Sequence, residues 1–305
     1  MSLPRQIFPG RSYMISRRCS QRQFLMRPDP RTNDAFLYCL GLAALRTGVR
    51  LVGFLAMSNH WHGILVDVEG RLPEFLEIAH KLFAKHQNAA LGRWENFWAP
   101  EQTSVVELVT PDDILAKLIY TLANPVADHL VERAHHWPGA SSLRAMTDGK
   151  LIRAARPRTF FRQQGKDVLP DNVEIKLVVP PAFGGMTQRG FAKLVGERVQ
   201  KVEQQAAAER ARTGRRVLGR AAVLRQRPTD RPATIEPRRQ LSPRVACRNT
   251  WRRVETLARN KAFVAAYRAA RDLLIAGKDA LFPAGTYWLR RFAGAACDGV
   301  APAPA

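Results

Sequence analysis

The sequence predicts an α+β protein: an antiparallel sheet with a split βαβ order, followed by a basic, mainly helical extension. Two observations predict it. Short apolar, β-branched runs alternate with longer stretches of helical periodicity in the order β-α-β-β-α-β-α through about residue 124. Charge is also unevenly spread. Residues 1–150 hold 17 basic and 14 acidic residues, whereas residues 151–305 hold 31 and 12, so the formal net charge of +22 divides as +3 and +19. With 305 residues, 46% of them hydrophobic, the chain can build one large or two modest domains. We place the boundary at residue 150, with a compact domain over 1–150 and a basic extension over 151–305.

Tyr13 to Cys19 reads as a first strand. Pro28 and Pro30 then break the chain, Thr32-Asn33-Asp34 offers capping residues for a helix through Leu45, and Gly48 ends it. Two short apolar strands follow at 50–56 and 60–66, joined around Ser58-Asn59. Pro73 falls in the first turn of a second helix, where its missing N–H costs little, and Phe75, Ile78, Leu82 and Phe83 carry helical spacing toward Leu91. Val105–Val109 is a fourth strand. Thr110-Pro111-Asp112-Asp113 is a strong helix start, combining a cap, a first-position proline and acids at the positive end of the dipole. That third helix is expected to stop near Asn124, because Pro125 follows. The first six elements match the ferredoxin-like split βαβ pattern, with one extra helix; one sheet face carries helices and the other is left for a site.

The extension is less regular. A strand is possible at Val173–Val179, and residues 191–212 are helical with a polar middle. Arginine and proline dominate 213–245, which reads as a linker or extended arm. Trp251–Ala276 forms a basic amphipathic helix (about 250–277), with Val254, Leu257, Phe263, Val264, Tyr267 and Leu274 interleaved with arginines and lysines. Residues 301–305 form a tail.

Composition narrows the function classes. The excess of cationic side chains suits a polyanion, with nucleic acid leading. Cys19, Cys39, Cys247 and Cys297 form no CxxC pair, which argues against a zinc ribbon or a disulfide framework and for reduced thiols. The N-terminus lacks the apolar core of a signal peptide, and no apolar run is long enough to span a bilayer. The expectation is a protein of the bacterial cytoplasm or nucleoid with no membrane partner.

Met57-Ser58-Asn59-His60-Trp61-His62-Gly63 is the most informative run. Residues two apart on a strand share a face, so His60 and His62 project together and Trp61 projects oppositely. Two imidazoles on a rigid strand are half of a metal site, although a His-x-His taken alone is more often an ordinary satisfied pair. The third helix carries Tyr120-Thr121-Leu122-Ala123-Asn124-Pro125-Val126. Tyr120 and Asn124, four apart, lie one turn apart on one helix face. If that face meets the histidine strand, Asn124 can add an oxygen to a cation held by His60 and His62, with Tyr120 beside it. Such a mixed site suits Mg²⁺ or Mn²⁺ and leaves positions open for a phosphate oxygen. A phenol is a poor nucleophile at neutral pH and needs a base or a cation nearby. Alone, the Tyr-x-x-x-Asn-Pro segment would more often be packing plus a cap.

Together these motifs resemble a known family. His60-Trp61-His62, preceded by Met57-Ser58-Asn59, is similar to the His-hydrophobe-His motif of the single-tyrosine HUH transposases. Tyr120 through Val126 resembles the tyrosine-to-Asn-Pro-Val segment of the branch called REP-associated tyrosine transposases, and Trp137-Pro138-Gly139-Ala140-Ser141-Ser142 resembles the Trp-Pro-x-Ser-Ser element that trails it. The likeness covers roughly residues 8–145. It implies that His60 and His62 bind a divalent metal, that Asn124 is a third ligand and that Tyr120 is the nucleophile. It further implies cleavage and rejoining of single-stranded DNA, often at hairpin-forming repeats, through a 5′-phosphotyrosine intermediate. Two departures stand out: about 150 further residues follow the motif-bearing part, and the sequence after Asn-Pro-Val reads Ala127-Asp128-His129 where a basic residue is usual. A non-catalytic DNA- or RNA-binding protein of the same fold remains the alternative. A relaxase or replication initiator fits less well, since no GxxxxGK[ST] loop occurs. Monomer and homodimer both remain open.

Further candidates are less specific. Arg17, Arg18, Arg22 and Arg27 flank the first strand, and Arg252 and Arg253 open the last long helix; all could contact a DNA backbone. Trp94, Phe97 and Trp98 could stack on bases, although such spacing more often marks core. His129, His135 and His136 read as surface histidines.

Overall fold

The computed structural model describes residues 4–158, 169–233 and 243–299. The first seven elements are β1 (Arg11–Arg18), α1 (Pro30–Thr47), β2 (Arg50–Ala56), β3 (His60–Asp67), α2 (Leu72–Leu91), β4 (Ser104–Leu108) and α3 (Pro111–Ala127). The sheet runs in the order β2-β3-β1-β4 with every neighbour antiparallel, and β7 (Val245–Ala246) adds a short parallel strand beyond β4. This is the expected split βαβ topology, extended at one edge by the C-terminal region.

Local chemistry explains the boundaries. Helix α1 starts earlier than its polar run suggests, because Asp29 is the cap: its carboxylate accepts from the Thr32 N–H at 2.9 Å, and Pro30 follows at the first position. Thr32-Asn33-Asp34 lies inside the helix, which ends at Gly48 with φ 70°. Helix α2 is capped from outside by Asp67, whose carboxylate accepts the N–H groups of Arg71 (2.8 Å) and Leu72 (3.0 Å). Thr110 and Asp113 form a reciprocal capping box on α3. Helix α3 does not stop at Asn124. It continues through Pro125 to Ala127, and the Asp128 N–H donates to the Asn124 carbonyl at 3.0 Å. A proline in the last turn forfeits a single i→i−4 bond, so the turn survives.

Trp61, Ile15 and their neighbours face α1 and α2, where Trp61 meets Phe36 edge-on at 5.7 Å between ring centroids. Helix α3 lies across the opposite face. A Cβ built on Gly53 would fall 2.5 Å from Leu118 Cδ1, so α3 approaches β2 where that strand has no side chain, beside the register shift between Leu51 and Gly53.

The extension packs onto this frame. β5 (Ile152–Ala155) and β6 (Asn172–Ile175) form a hairpin against α1, with Val173 seated over Gly41. β6 is shorter than the expected 173–179 strand; beyond it Leu177 bridges Leu51, and the Val178 N–H donates to the Leu51 carbonyl. Between α3 and β5 comes the short helix α4 (Leu143–Asp148). Helix α5 (Gln188–Thr213) packs on α3 through Phe191, Val195 and Val199. The 213–245 stretch is not wholly an open arm, since it holds α6 (Arg220–Arg225) with Val223 in the core; residues 234–242 lie outside the described set. One hydrophobic core therefore reaches from Tyr13 to Val223. Helix α7 (Thr250–Ile275) joins the α1/α2 side, where Arg259 grips Glu107 at 2.8 and 2.9 Å. Its burial differs from expectation: Phe263 and Ala270 are buried, whereas Val254, Leu257 and Leu274 are exposed. A second, small cluster joins Ala270, Phe282 and Cys297 ahead of α8 (Trp288–Ala293) and after it. The 301–305 tail lies outside the described residues. All four cysteines are buried and unpaired. No helix among the described residues is long and apolar enough to cross a membrane.

Candidate active site

The histidine pair occupies the first turn of pleat in β3. His60 and His62 stand on one face with ring centroids 4.7 Å apart, opposite Arg18 and Ser16 of β1. Asn59 orients the outer ring: its Oδ1 lies 2.7 Å from His60 Nδ1, and its amide donates to the Arg22 carbonyl at 3.2 Å. A hydrogen bond at Nδ1 fixes the tautomer and leaves Nε2 as the lone-pair nitrogen. Burial lowers His60 from 6.5 to about 4, helped by Arg18 and Arg22. Burial, then His60 and Arg18, hold His62 well below 6.5. Both rings are therefore neutral at physiological pH, the form that ligates metals.

Helix α3 brings Tyr120 to this pair. Its ring lies 5.5 Å from the His62 ring at 66°, and the residue is 50% exposed. Asn124 sits one turn further along the same helix face and is buried; its Oδ1 has no hydrogen-bond partner. The buried Nδ1 of His62 likewise has none. These two unpartnered atoms are among several buried in the molecule, and both belong to residues expected to hold a cation. Among the described residues no cluster of three His, Cys, Asp or Glu could bind a metal. The donors expected from the sequence, two imidazoles and one neutral amide, would suit a divalent ion that keeps several positions open for water or phosphate.

The structure separates the other candidates. Arg18 and Arg22 act electrostatically on His60. Arg17 projects to the opposite face, where its guanidinium donates to the Glu101 carbonyl and lines a separate groove of about 450 Å³. Arg252 is exposed in the first turn of α7, and Arg253 donates to the Cys247 carbonyl at 3.2 Å. Arg27 pairs with Asp29 at 3.1 Å. Phe97 and Trp98 are core, the latter donating to the His80 carbonyl, while Trp94 is exposed. His135 and His136 are exposed, but His129 is buried at the end of α3, where the surface reading fails. Sequence reading missed Lys117, whose ammonium lies 5.6 Å from the Tyr120 ring. Helical spacing three residues before Tyr120 was the available signal.

The segment 137–142 has a structural task. The Trp137 indole donates to the Ala56 carbonyl (2.8 Å), the Ala56 N–H donates to the Ala140 carbonyl (2.8 Å), and Ser142 exchanges bonds with Phe54. A Cβ on Gly139 would fall 2.5 Å from the Ala56 carbonyl. This strap closes the β2 edge and braces the strand that flanks the histidines.

No family model and no curated protein matches the chain. Among solved structures, it is similar to a REP-associated tyrosine transposase bound to a REP hairpin, with 14% identity and a TM-score of 0.41 over 56% of this chain and 94% of that one. It is also similar to a "putative transposase" from Deinococcus radiodurans R1, with 17% identity and a TM-score of 0.26 over 35% of this chain and 85% of that one.

Proposed function

We propose that this chain cleaves and rejoins single-stranded DNA as a transposase, through a covalent 5′-phosphotyrosine on Tyr120, at hairpin or palindromic repeat sequences. The observation that carries the reading is the meeting of Tyr120 with His62, 5.5 Å ring to ring, where α3 packs against β3. In the reaction the Tyr120 oxygen bonds to a backbone phosphorus as the bond from phosphorus to the 3′ oxygen breaks. The phenolic proton is lost and the departing oxygen gains one. Reversal with a new 3′ hydroxyl rejoins the strand, and the phosphoester energy is conserved. His60, His62 and Asn124 would hold Mg²⁺ or Mn²⁺, which when bound would polarise the scissile phosphate and offset charge on its oxygens. Asn59 keeps His60 in its ligating tautomer. Lys117 adds positive charge over the Tyr120 ring, where it would help attract a phosphate to the site.

The test is a denaturing gel of protein incubated with Mn²⁺ and a hairpin DNA bearing a single-stranded flank. Wild type should give a protein–DNA adduct, and Tyr120→Phe should give none while still binding the DNA. An adduct that survives in Tyr120→Phe rejects the assignment; binding without any adduct in wild type would favour a non-catalytic nucleic-acid-binding module.

A further inference from the structure

The chain after α5 folds back over the residues that follow α3 instead of leaving the molecule. Between Gly214 and Arg231 it carries Arg215, Arg216, Arg220, Arg225, Arg227 and Arg231 against the single acid Asp230. This segment is pinned at two places. Near its start, the Leu218 and Gly219 N–H groups donate to the carbonyls of His129 and Leu130, each at 3.0 Å. Those two residues follow directly on α3, and the Leu130 N–H donates to the Pro125 carbonyl at 2.8 Å. At its far end, the Phe24 N–H donates to the Asp230 carbonyl at 2.9 Å, and the Arg231 guanidinium donates to Gln21. The 19–26 loop is in turn tied to the turn before β3. The Cys19 N–H donates to the Asn59 carbonyl at 2.7 Å and the Met26 N–H to the Ser58 carbonyl at 2.9 Å.

The arginine segment therefore spans from the helix that bears Tyr120 and Asn124 to the turn that presents His60. Between the pins, Val223 anchors α6 in the core. Backbone strain marks both pins. Gln21, Arg22 and His129, with φ of 51°, 58° and 54°, are the only non-glycine residues in the left-handed region among those described. Such conformations persist where the surroundings hold them, and they gather at sites that must keep one shape. Arg216, Arg220 and Arg225 are exposed and make no side-chain hydrogen bond or ion pair with protein among the described residues. Arg215 is within electrostatic reach of Asp128, just past the end of α3.

We infer that residues 214–231 form a phosphate rail, a backbone-pinned segment whose exposed guanidinium groups grip the DNA backbone beside the candidate site. This rests on the DNA-cleaving reading of the site and assigns its substrate grip to the extension. Rigid pinning matters because a pre-ordered row loses little freedom on binding, and guanidinium forks match phosphate oxygens. Contacts of this kind carry no base information and register as salt dependence.

The experiment is equilibrium binding of a fluorescent hairpin DNA with a single-stranded flank over a KCl series, in the full chain and in a Tyr120→Phe background. Catalysis plays no part in the readout, so failure of the tyrosine assignment cannot mimic failure of the rail. The triple variant R216Q/R220Q/R225Q should reduce the slope of log affinity against log salt by about two, at about 0.7 per phosphate contact on single strands. The matching R216K/R220K/R225K variant should keep most of the slope, and thermal melting confirms that each variant is folded. K261Q/R268Q/K278Q, which removes equal charge from the exposed side of α7 and the turn that follows it, should change it little. An unchanged slope in the first variant, or equal losses in the first and the α7 variant, would overturn the proposal.

Discussion

The two faces of β3 use histidine in opposite ways. On the α1/α2 side, His80 accepts a hydrogen bond from the Trp61 indole at 3.1 Å, and its ring packs between Trp61 and Trp98 at 5.6 and 5.1 Å. On the α3 side, His62 and Asn124 keep buried polar atoms without a partner, and a half-exposed phenol faces them. Burial depresses the basicity of histidines on both faces. Low basicity therefore does not distinguish structure from site; hydrogen-bond accounting does. His80 is tied into the packing that holds the sheet to its helices, whereas the His62 and Asn124 atoms are left chemically available.

Exchanging damage between the faces should break the comparison if it is wrong. His62→Ala should lower adduct yield per folded molecule by at least about 100-fold, by loss of a metal ligand, far beyond what the cavity left by its buried ring and the lost contact with the Ile15 backbone cost in stability. His80→Ala should do the reverse. It strands the Trp61 N–H and opens a cavity, costing about 2–4 kcal/mol in urea unfolding, with normal adduct yield per folded molecule. A drop in cleavage at full stability for His80→Ala would erase the distinction.

Asn124→Ala sharpens the same point. Its Oδ1 has no partner to lose, so stability should stay within about 1 kcal/mol. Adduct formation should then need roughly tenfold more Mn²⁺, read from a metal titration.

Acid gives a smaller, signed effect. Burial, with Arg17, lowers His80 from 6.5 to about 3. Its folded value lies below its unfolded one, so the unfolded chain takes up the proton first. Stability from this neutral ring is complete above pH 6.5 and is lost as pH falls from 6.5 toward 3. Between pH 7 and 5 that group alone should cost up to about 2 kcal/mol. His80→Gln, which keeps an acceptor for Trp61 but cannot titrate, should flatten that part of the pH–stability curve. An unaltered slope would show that His80 is not the group responsible.

The smallest effect concerns the frame. Asp29→Ala should cost about 1 kcal/mol by removing the α1 cap and leave cleavage unaffected.

Much of this frame was legible because period and punctuation agree. The alternation around His60-Trp61-His62 fixed the split of side chains between the two layers, and Thr110-Pro111-Asp112-Asp113 fixed the start of α3. Other features depend on partners far along the chain. Arg17 and Arg18 are adjacent, and only the pairing of Arg18 with His60 and of Arg17 with Trp61 decides which one faces the site. Pro125 reads as a stop, yet α3 carries on because a single bond is lost in a turn held by neighbours. His129 reads as surface until α5 and the arginine segment pack over the end of α3. The arginine-rich 214–231 stretch has the composition of a linker, and its order comes from backbone bonds to His129, Leu130 and Phe24 that no local pattern announces.

The most direct measurement is the site of covalent attachment. Trapped adduct from the hairpin reaction, digested with nuclease and protease and read by tandem mass spectrometry, should carry its residual nucleotide on the Tyr120 oxygen. A nucleotide on Tyr13, Tyr38 or any other side chain would contradict the account.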